Sequence, residues 1–153
     1  MTRAYIGLGA NLGDREATIR SALEELASTP GVELVAVSAL VETEPVGYLD
    51  QPSFLNGVAA LDTTLEARAL LALLLGIEAR HGRDRAAAPA QGPRTLDLDL
   101  LLFGDAEIHE EGLQIPHPRL HERAFVLDPL LEVAPGLEVP GLGTLEALRA
   151  GLH

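Results

Sequence analysis

An α+β sandwich on an antiparallel sheet is what this sequence predicts, and three observations carry the prediction. Two segments repeat their apolar residues at helical spacing, four are apolar runs of strand length, and the six follow one another as strand, helix, strand, strand, helix, strand. That order is the split βαβ arrangement of ferredoxin-like folds.

Each element has its own grounds. "RAYIGL" reads as a buried strand, and "GANLGD" as a turn ending in Asp14, whose carboxylate suits an N-cap. The helix that follows runs from Arg15 to Ser28, with Ile19, Ala22, Leu23 and Leu26 on one face, until "TPG" stops it. Two strands are expected at Glu33 to Thr43 and Phe54 to Thr63, joined by the loop "EPVGYLDQPS". A second helix, Leu65 to His81, is rich in Leu and Ala almost all round and is expected to be largely buried. Beyond the loop "GRDRAAAPAQGP" come the strand "TLDLDLLLF" and a hairpin at "GDAE". "ERAFVLDPLLEVAPG" reads as a short helix ended by Pro135 and Gly136, and "GTLEALRAGLH" as another, so that an extra C-terminal hairpin and short helices complete the sandwich.

Composition narrows the function. The chain has 153 residues, expected to form a single domain over 1–153 with a sizeable core. With 47% hydrophobic and 22% charged residues it is too apolar for disorder, and no unbroken apolar run approaches a membrane span. No targeting segment is visible at the N-terminus, which makes the cytoplasm the expected location. No cysteine is present, which excludes disulfides, thiolate metal sites and a cysteine nucleophile. A net charge of −12 repels nucleic acid and anionic lipid, so neither nucleic acid nor membrane is expected as a partner. All eleven basic residues are arginine; without lysine there is no Walker A lysine and no Schiff base. Four of the arginines, Arg80, Arg83, Arg85 and Arg94, crowd residues 80–94, and Arg119 and Arg123 flank a second stretch near His117. A solvated loop balanced by nearby acids would explain such a cluster unless a partner motif accompanies it.

Two motifs compete for attention. "GLGANLG" follows a strand and precedes a helix, but its spacing is not the dinucleotide-binding one, and we read it as a tight strand-to-helix turn. "TLDLDLLLF" is the stronger signal. Residues two apart in a strand share a face, so Asp97 and Asp99 project together, with Cα atoms about 6.5 Å apart, while Leu96, Leu98 and Leu100 point the other way. The acid face then continues as Leu101 and Phe103. Two converging carboxylates repel each other and resist burial, a cost that a hard divalent cation relieves, or that ion pairs with Arg94 and a neighbour relieve. Mg²⁺ on paired acids with arginines in reach suggests phosphoryl chemistry in an arginine clamp. His117, between two prolines, reads as a phosphate ligand, a proton donor or a turn residue. Phe54 and Phe125, at a strand start and a helix start, are placed either to pack in the core or to stack on a flat ligand.

Five blocks, "AYIGLGANLGDR", "TEPVGYLDQPSFLN", "GIEARHGR", "GPRTLDLDLLLFG" and "IPHPRLHERAFVLDPLLEVAP", follow one another as in the 6-hydroxymethyl-7,8-dihydropterin pyrophosphokinases, and the resemblance covers nearly the whole chain. It implies a ferredoxin-like α+β monomer that moves the pyrophosphoryl group of ATP to the hydroxymethyl of a reduced pterin and releases AMP, with two Mg²⁺ ions. By the resemblance, Asp97 and Asp99 bind both ions. Arg83, Arg85, Arg94 and Arg123 match the family's phosphate-side arginines, with Arg83 and Arg94 in catalysis, and Glu78, Leu100 and His117 match contacts to ATP. Thr43, Pro45, Val46 and Asn56 match the pterin pocket, Phe54 and Phe125 the rings on either side of the bicycle, and Asp97 also faces that substrate. The chain departs from the family at Ala90 and Gln91, where a basic residue and Trp usually stand, and around Leu75 and Gly112 on the nucleotide side. A non-catalytic ferredoxin-like module that binds a small ligand or a partner sheet is the rival reading; it explains the order of elements but has no use for the acid pair and the arginines together.

Overall fold

The computed structural model describes residues 1–44, 53–81 and 96–152. Its elements in chain order are β1 (Thr2–Ala10), α1 (Arg15–Ser28), β2 (Val32–Val37), β3 (Val41–Thr43), β4 (Phe54–Thr63), α2 (Ala67–Arg80), β5 (Asp97–Phe103), β6 (Ile108–Glu110), β7 (Leu113–Ile115), a 3₁₀ turn (Leu120–Glu122), α3 (Ala124–Val133), β8 (Glu138–Val139), β9 (Gly143–Thr144) and α4 (Leu145–Ala150). The main sheet has the order β2-β4-β1-β5, with β3 also on β4, and every pairing is antiparallel. This is the ferredoxin-like α+β fold expected from the element order. Among the described residues no helix is long and apolar enough to cross a membrane.

The period-2 alternation of β1 divides the core. Ala4, Ile6, Leu8 and Ala10 pack with Ile19, Ala22 and Leu26 of α1 and Leu70, Leu74 and Ile77 of α2. On the opposite face Tyr5 joins Val58, Ala60, Leu101 and Leu102 of the sheet and Val126, Leu127 and Leu130 of α3. Helix α1 spans the predicted residues, and the Asp14 carboxylate accepts the Ala17 N–H at 3.1 Å.

Four local expectations change. The strand expected over Glu33 to Thr43 is two, because the chain leaves the ladder at Ser38. There the Val58 N–H donates to the Ser38 hydroxyl at 2.9 Å, and the Ala39 N–H donates to Glu132 Oε2 at 2.6 Å. Leu40 then crosses Gly57 so closely that a Cβ at residue 57 would lie 2.7 Å from its Cδ2. Helix α2 is fully buried along one stripe only: Leu71 and Leu73 pack at the edge of the core, and Leu75 stays 41% exposed, because it faces a groove. The turn at 104–107 does not close a hairpin on β5: β6 pairs forward with β7 instead. Finally, β5 carries a bulge. Ile6 pairs with Leu100 but Tyr5 with Leu102, so Leu101 is an extra residue and the alternation flips after it. Leu101 continues the acid face as expected, whereas Phe103 turns to the α1/α2 side.

Candidate active site

The face of the sheet that packs on α3 is covered only in part, and where α3 begins a cleft of about 670 Å³, open mouth included, takes over. Its floor is β1. Following Tyr5 on that face come Gly7 and Gly9, which lie opposite Asp99 and Asp97 on one side and Val58 and Asn56 on the other. A Cβ at Gly9 would meet Asn56 Oδ1 at 3.1 Å and Asp97 Cβ at 3.7 Å, so the missing side chain keeps the path between amide and acids bare. The expectation that "GLGANLG" is a turn is therefore corrected: its first two glycines belong to the strand and floor the cleft, and Gly13, at φ +64°, makes the turn.

The walls gather residues distant in sequence. Thr43 at the end of β3, Phe54 and Asn56 at the start of β4, Asp97 and Asp99 on β5, and Arg123 and Phe125 at the entry to α3 all line the cleft. The Asn56 amide donates to the Thr43 hydroxyl, which fixes the carboxamide's orientation. The Arg123 guanidinium lies over the Phe125 ring, 5.6 Å from its centroid, joining the aromatic wall to the charged end. Phe54 and Phe125 both reach the cleft as the stacking alternative required.

A second groove, about 800 Å³ with its open side, lies around the outer edge of β5. Leu71 and Leu75 of α2, Leu100, Gly112 and His117 line it, and Asp99 borders both spaces. His117 is held by its backbone, whose N–H donates to the carbonyl of the bulged Leu101 at 2.9 Å. Its Nδ1 accepts the Arg119 N–H at 3.2 Å, which leaves Nε2 to carry the proton of the neutral ring. Burial, with Arg123 and then Arg119 adding to it and Asp97 opposing, lowers the His117 pKa below 6.5. A lowered folded pKa means that the unfolded chain binds more protons in that window. The stability from neutral His117 is then complete above about pH 6.5 and is lost as pH falls through the lowered value. Melting temperatures between about pH 7.5 and 5 are expected to fall more steeply for the wild type than for His117→Gln; parallel curves would contradict this.

Glu78 lines neither space. It is 2% exposed on the core side of α2, and its Oε2 accepts the Leu98 N–H at 2.7 Å, directly behind the acid pair. Arg83, Arg85, Arg94, Pro45 and Val46, together with Ala90 and Gln91, lie outside the described residues. Among the described residues no group of three or more His, Asp or Glu side chains could hold a metal ion. A pair of carboxylates that no third His, Asp or Glu joins among the described residues suits a hard cation that draws its other ligands from phosphate oxygens and water, the habit of Mg²⁺. Among the cleft-lining residues that sequence reasoning did not assign to the site are Gly7, Gly9 and Glu44. For the glycines the signal was present: two in alternation inside a strand weaken it unless something must come close.

The sequence model of the 7,8-dihydro-6-hydroxymethylpterin-pyrophosphokinase (HPPK) family matches residues 5–135. A 2-amino-4-hydroxy-6-hydroxymethyldihydropteridine pyrophosphokinase of Methylorubrum extorquens is 48% identical over 148 residues, 97% of this chain and 92% of that protein. Proteins of the same name from Pseudomonas aeruginosa and Bacillus subtilis are each 47% identical, over 90% and 88% of this chain and 84% and 80% of their own lengths. Among solved structures, a wild-type Plasmodium falciparum HPPK-DHPS superposes with a TM-score of 0.70 at 15% identity, over 98% of this chain and 43% of that one, a likeness of fold. With the family's model spanning most of its length and relatives this similar end to end, the chain belongs to the 7,8-dihydro-6-hydroxymethylpterin-pyrophosphokinases.

Proposed function

We propose that this chain transfers the pyrophosphoryl group of ATP to the hydroxymethyl group of 6-hydroxymethyl-7,8-dihydropterin, giving AMP and the pterin diphosphate, a step of folate biosynthesis. The observation that carries the reading is one cleft with aromatic walls and an oriented carboxamide at one end and paired carboxylates at the other. A flat, hydrogen-bonding bicycle fits the first end, and a polyphosphate with its cation fits the second.

In this reading Phe54 and Phe125 sandwich the ring system, while Asn56, held by Thr43, supplies the donor and acceptor that the pterin edge needs. The hydroxymethyl oxygen is thereby brought beside Asp97, pointing toward the β-phosphorus of ATP. A new bond forms between that oxygen and the β-phosphorus, its O–H bond breaks with the proton passing to solvent, the bond from the β-phosphorus to the oxygen carried by the α-phosphate breaks, and AMP leaves. Asp97 and Asp99 would hold two Mg²⁺ ions. When bound, those ions neutralise phosphate charge and align the phosphates. Arg123 and the Nε2–H of neutral His117 face the phosphates, Leu100 and the groove beyond β5 take the nucleoside, and Arg83, Arg85 and Arg94 complete the phosphate clamp. Pro45 and Val46 belong to the pterin side. Catalysis is by positioning and charge neutralisation rather than by a covalent intermediate. The domain covers residues 1–153 and works as a monomer in the cytoplasm.

The test is direct. Incubated with ATP, Mg²⁺ and the hydroxymethyl pterin, the protein is expected to release AMP; release of ADP, or of nothing, would sink the reading. The rival binding module needs neither ATP nor Mg²⁺, so Mg²⁺-dependent ATP binding measured by calorimetry separates the two.

A further inference from the structure

We infer that Glu78 is a positioning residue: it holds the start of β5 in the alignment from which Asp97 and Asp99 reach the cleft together, and so sets the site's affinity for Mg²⁺ without touching ion or nucleotide. This rests on the pyrophosphokinase reading above. Glu78 is the only buried charged side chain among the described residues, and it shares the buried stripe of α2 with Leu70, Leu74 and Ile77. A carboxylate is expensive to bury, so its presence on a core stripe calls for a hydrogen-bonding use. That use is visible in the Leu98 N–H, which donates to its Oε2 at 2.7 Å.

The position of Leu98 gives the bond its consequence. Leu98 lies between the two acids, with its own side chain in the α1/α2 core. Among the described residues strand β5 is the outermost strand on this side and pairs in the sheet with β1 alone. In an antiparallel pair, alternate N–H groups of such a strand point away from its neighbour, and an unmade bond there leaves the strand end free to fray. Glu78 ties that point to helix α2, which the core holds rigidly. The directions in which Asp97 and Asp99 leave the backbone are fixed by the peptides on either side of Leu98, so a twist at Leu98 moves both carboxylates at once. Mg²⁺ demands near-ideal octahedral geometry, which makes the site sensitive to such a twist. Glu78 is not itself a third ligand, since no three acids among the described residues are grouped to hold one ion.

The experiment compares wild type, Glu78→Ala and Glu78→Gln in three measurements: exchange of the Leu98 amide hydrogen in the ligand-free protein, Mg²⁺ dependence of binding of a non-hydrolysable ATP analogue, and pterin affinity. Glu78→Ala is expected to speed Leu98 exchange by about tenfold or more, and to raise the half-saturating Mg²⁺ concentration about fivefold, with pterin affinity within about twofold of wild type. Glu78→Gln keeps a carboxamide oxygen for the same N–H, so it should recover most of both losses. Restored exchange together with a Mg²⁺ shift as large as that of Glu78→Ala would mean the charge itself meets ion or nucleotide, and would overturn the inference. Unchanged exchange or unchanged Mg²⁺ dependence in Glu78→Ala would overturn it too. Should Glu78→Ala not fold, Glu78→Gln decides alone: Mg²⁺ dependence near wild type supports positioning, and a shift of about fivefold refutes it. Failure of the wild type to release AMP strikes the pyrophosphokinase reading, whereas the amide-exchange result requires no turnover.

Discussion

Asp97→Ala and Asp99→Ala are each expected to abolish pyrophosphoryl transfer while leaving the fold as stable as before or slightly more so. The two carboxylates project from one face of β5 into the cleft, over the bare strip of Gly7 and Gly9. In the proposed reading each substitution removes a carboxylate that would hold the cation, together with several kcal/mol of charge stabilisation in the transition state, which amounts to a loss of about 10³-fold or more in rate. In the ligand-free protein the same change relieves repulsion between like charges two residues apart on one strand face. Activity and stability should therefore part company. Thermal melting makes the difference measurable. ATP with Mg²⁺ at about a hundred times its dissociation constant stabilises a binding-competent fold by about 2.7 kcal/mol, or roughly 5–10 °C in a chain of this size. The wild type should show that shift and both variants should lose most of it, with their unliganded melting temperatures unchanged or raised. Near-normal turnover in either variant at ordinary Mg²⁺ would show the two-acid assignment to be wrong.

The site was legible where it depends on local periodicity and hidden where it depends on a neighbour. Asp97 and Asp99 share a face because side chains alternate in any strand, so "DLD" suffices to bring them together. The bulge at Leu101 arises in the pairing with β1, between Tyr5 and Ile6, and nothing in "LLLF" announces it. Phe103 was misplaced for that reason. Helix α2 was misjudged in its burial for a similar one: an almost uniformly apolar surface says nothing about which stripe meets the sheet, whereas the resemblance had already set Leu75 beside Gly112, where the groove brings them together. Glu78 was within reach of sequence reasoning. It stands four residues after Leu74, on the stripe with Leu70 and Ile77, where a charge in the core stands out. Gly9 could have been read as strand rather than turn, since Ala10 extends the apolar alternation of Ala4, Ile6 and Leu8 past it. The expectations for Arg83, Arg85 and Arg94 fall outside the described residues, as do those for Pro45 and Val46.

Asn56→Ala and Phe125→Ala are expected to weaken pterin binding strongly, and comparing them locates the boundary between the two substrates. Asn56 is 9% exposed, bonded to Thr43 and set across Gly9 from Asp97, and among the described residues it lines the cleft but not the groove beyond β5. Its removal deletes a donor and an acceptor from a partly desolvated edge, a loss of about 1–3 kcal/mol, or roughly 10- to 100-fold in affinity. ATP-analogue binding should stay within about twofold of wild type, because no phosphate contact is lost. Phe125 stands in a different position. It offers one stacking face to the pterin, worth about 0.5–1.5 kcal/mol beyond the area it covers, and so a comparable loss of pterin affinity is expected. The Arg123 guanidinium also rests over this ring, so the substitution releases a cation from the phosphate end. Phe125→Ala should accordingly weaken the ATP analogue as well, by about threefold for a contact near 0.5–1 kcal/mol, while Phe125→Leu, which keeps bulk but not the π face, should do the same to ATP and less to the pterin. Titrating each variant separately with pterin and with the analogue decides the matter. Loss of ATP binding in Asn56→Ala with pterin affinity preserved would put the pterin elsewhere than between Phe54 and Phe125, and the direction of transfer through the cleft would have to be reversed.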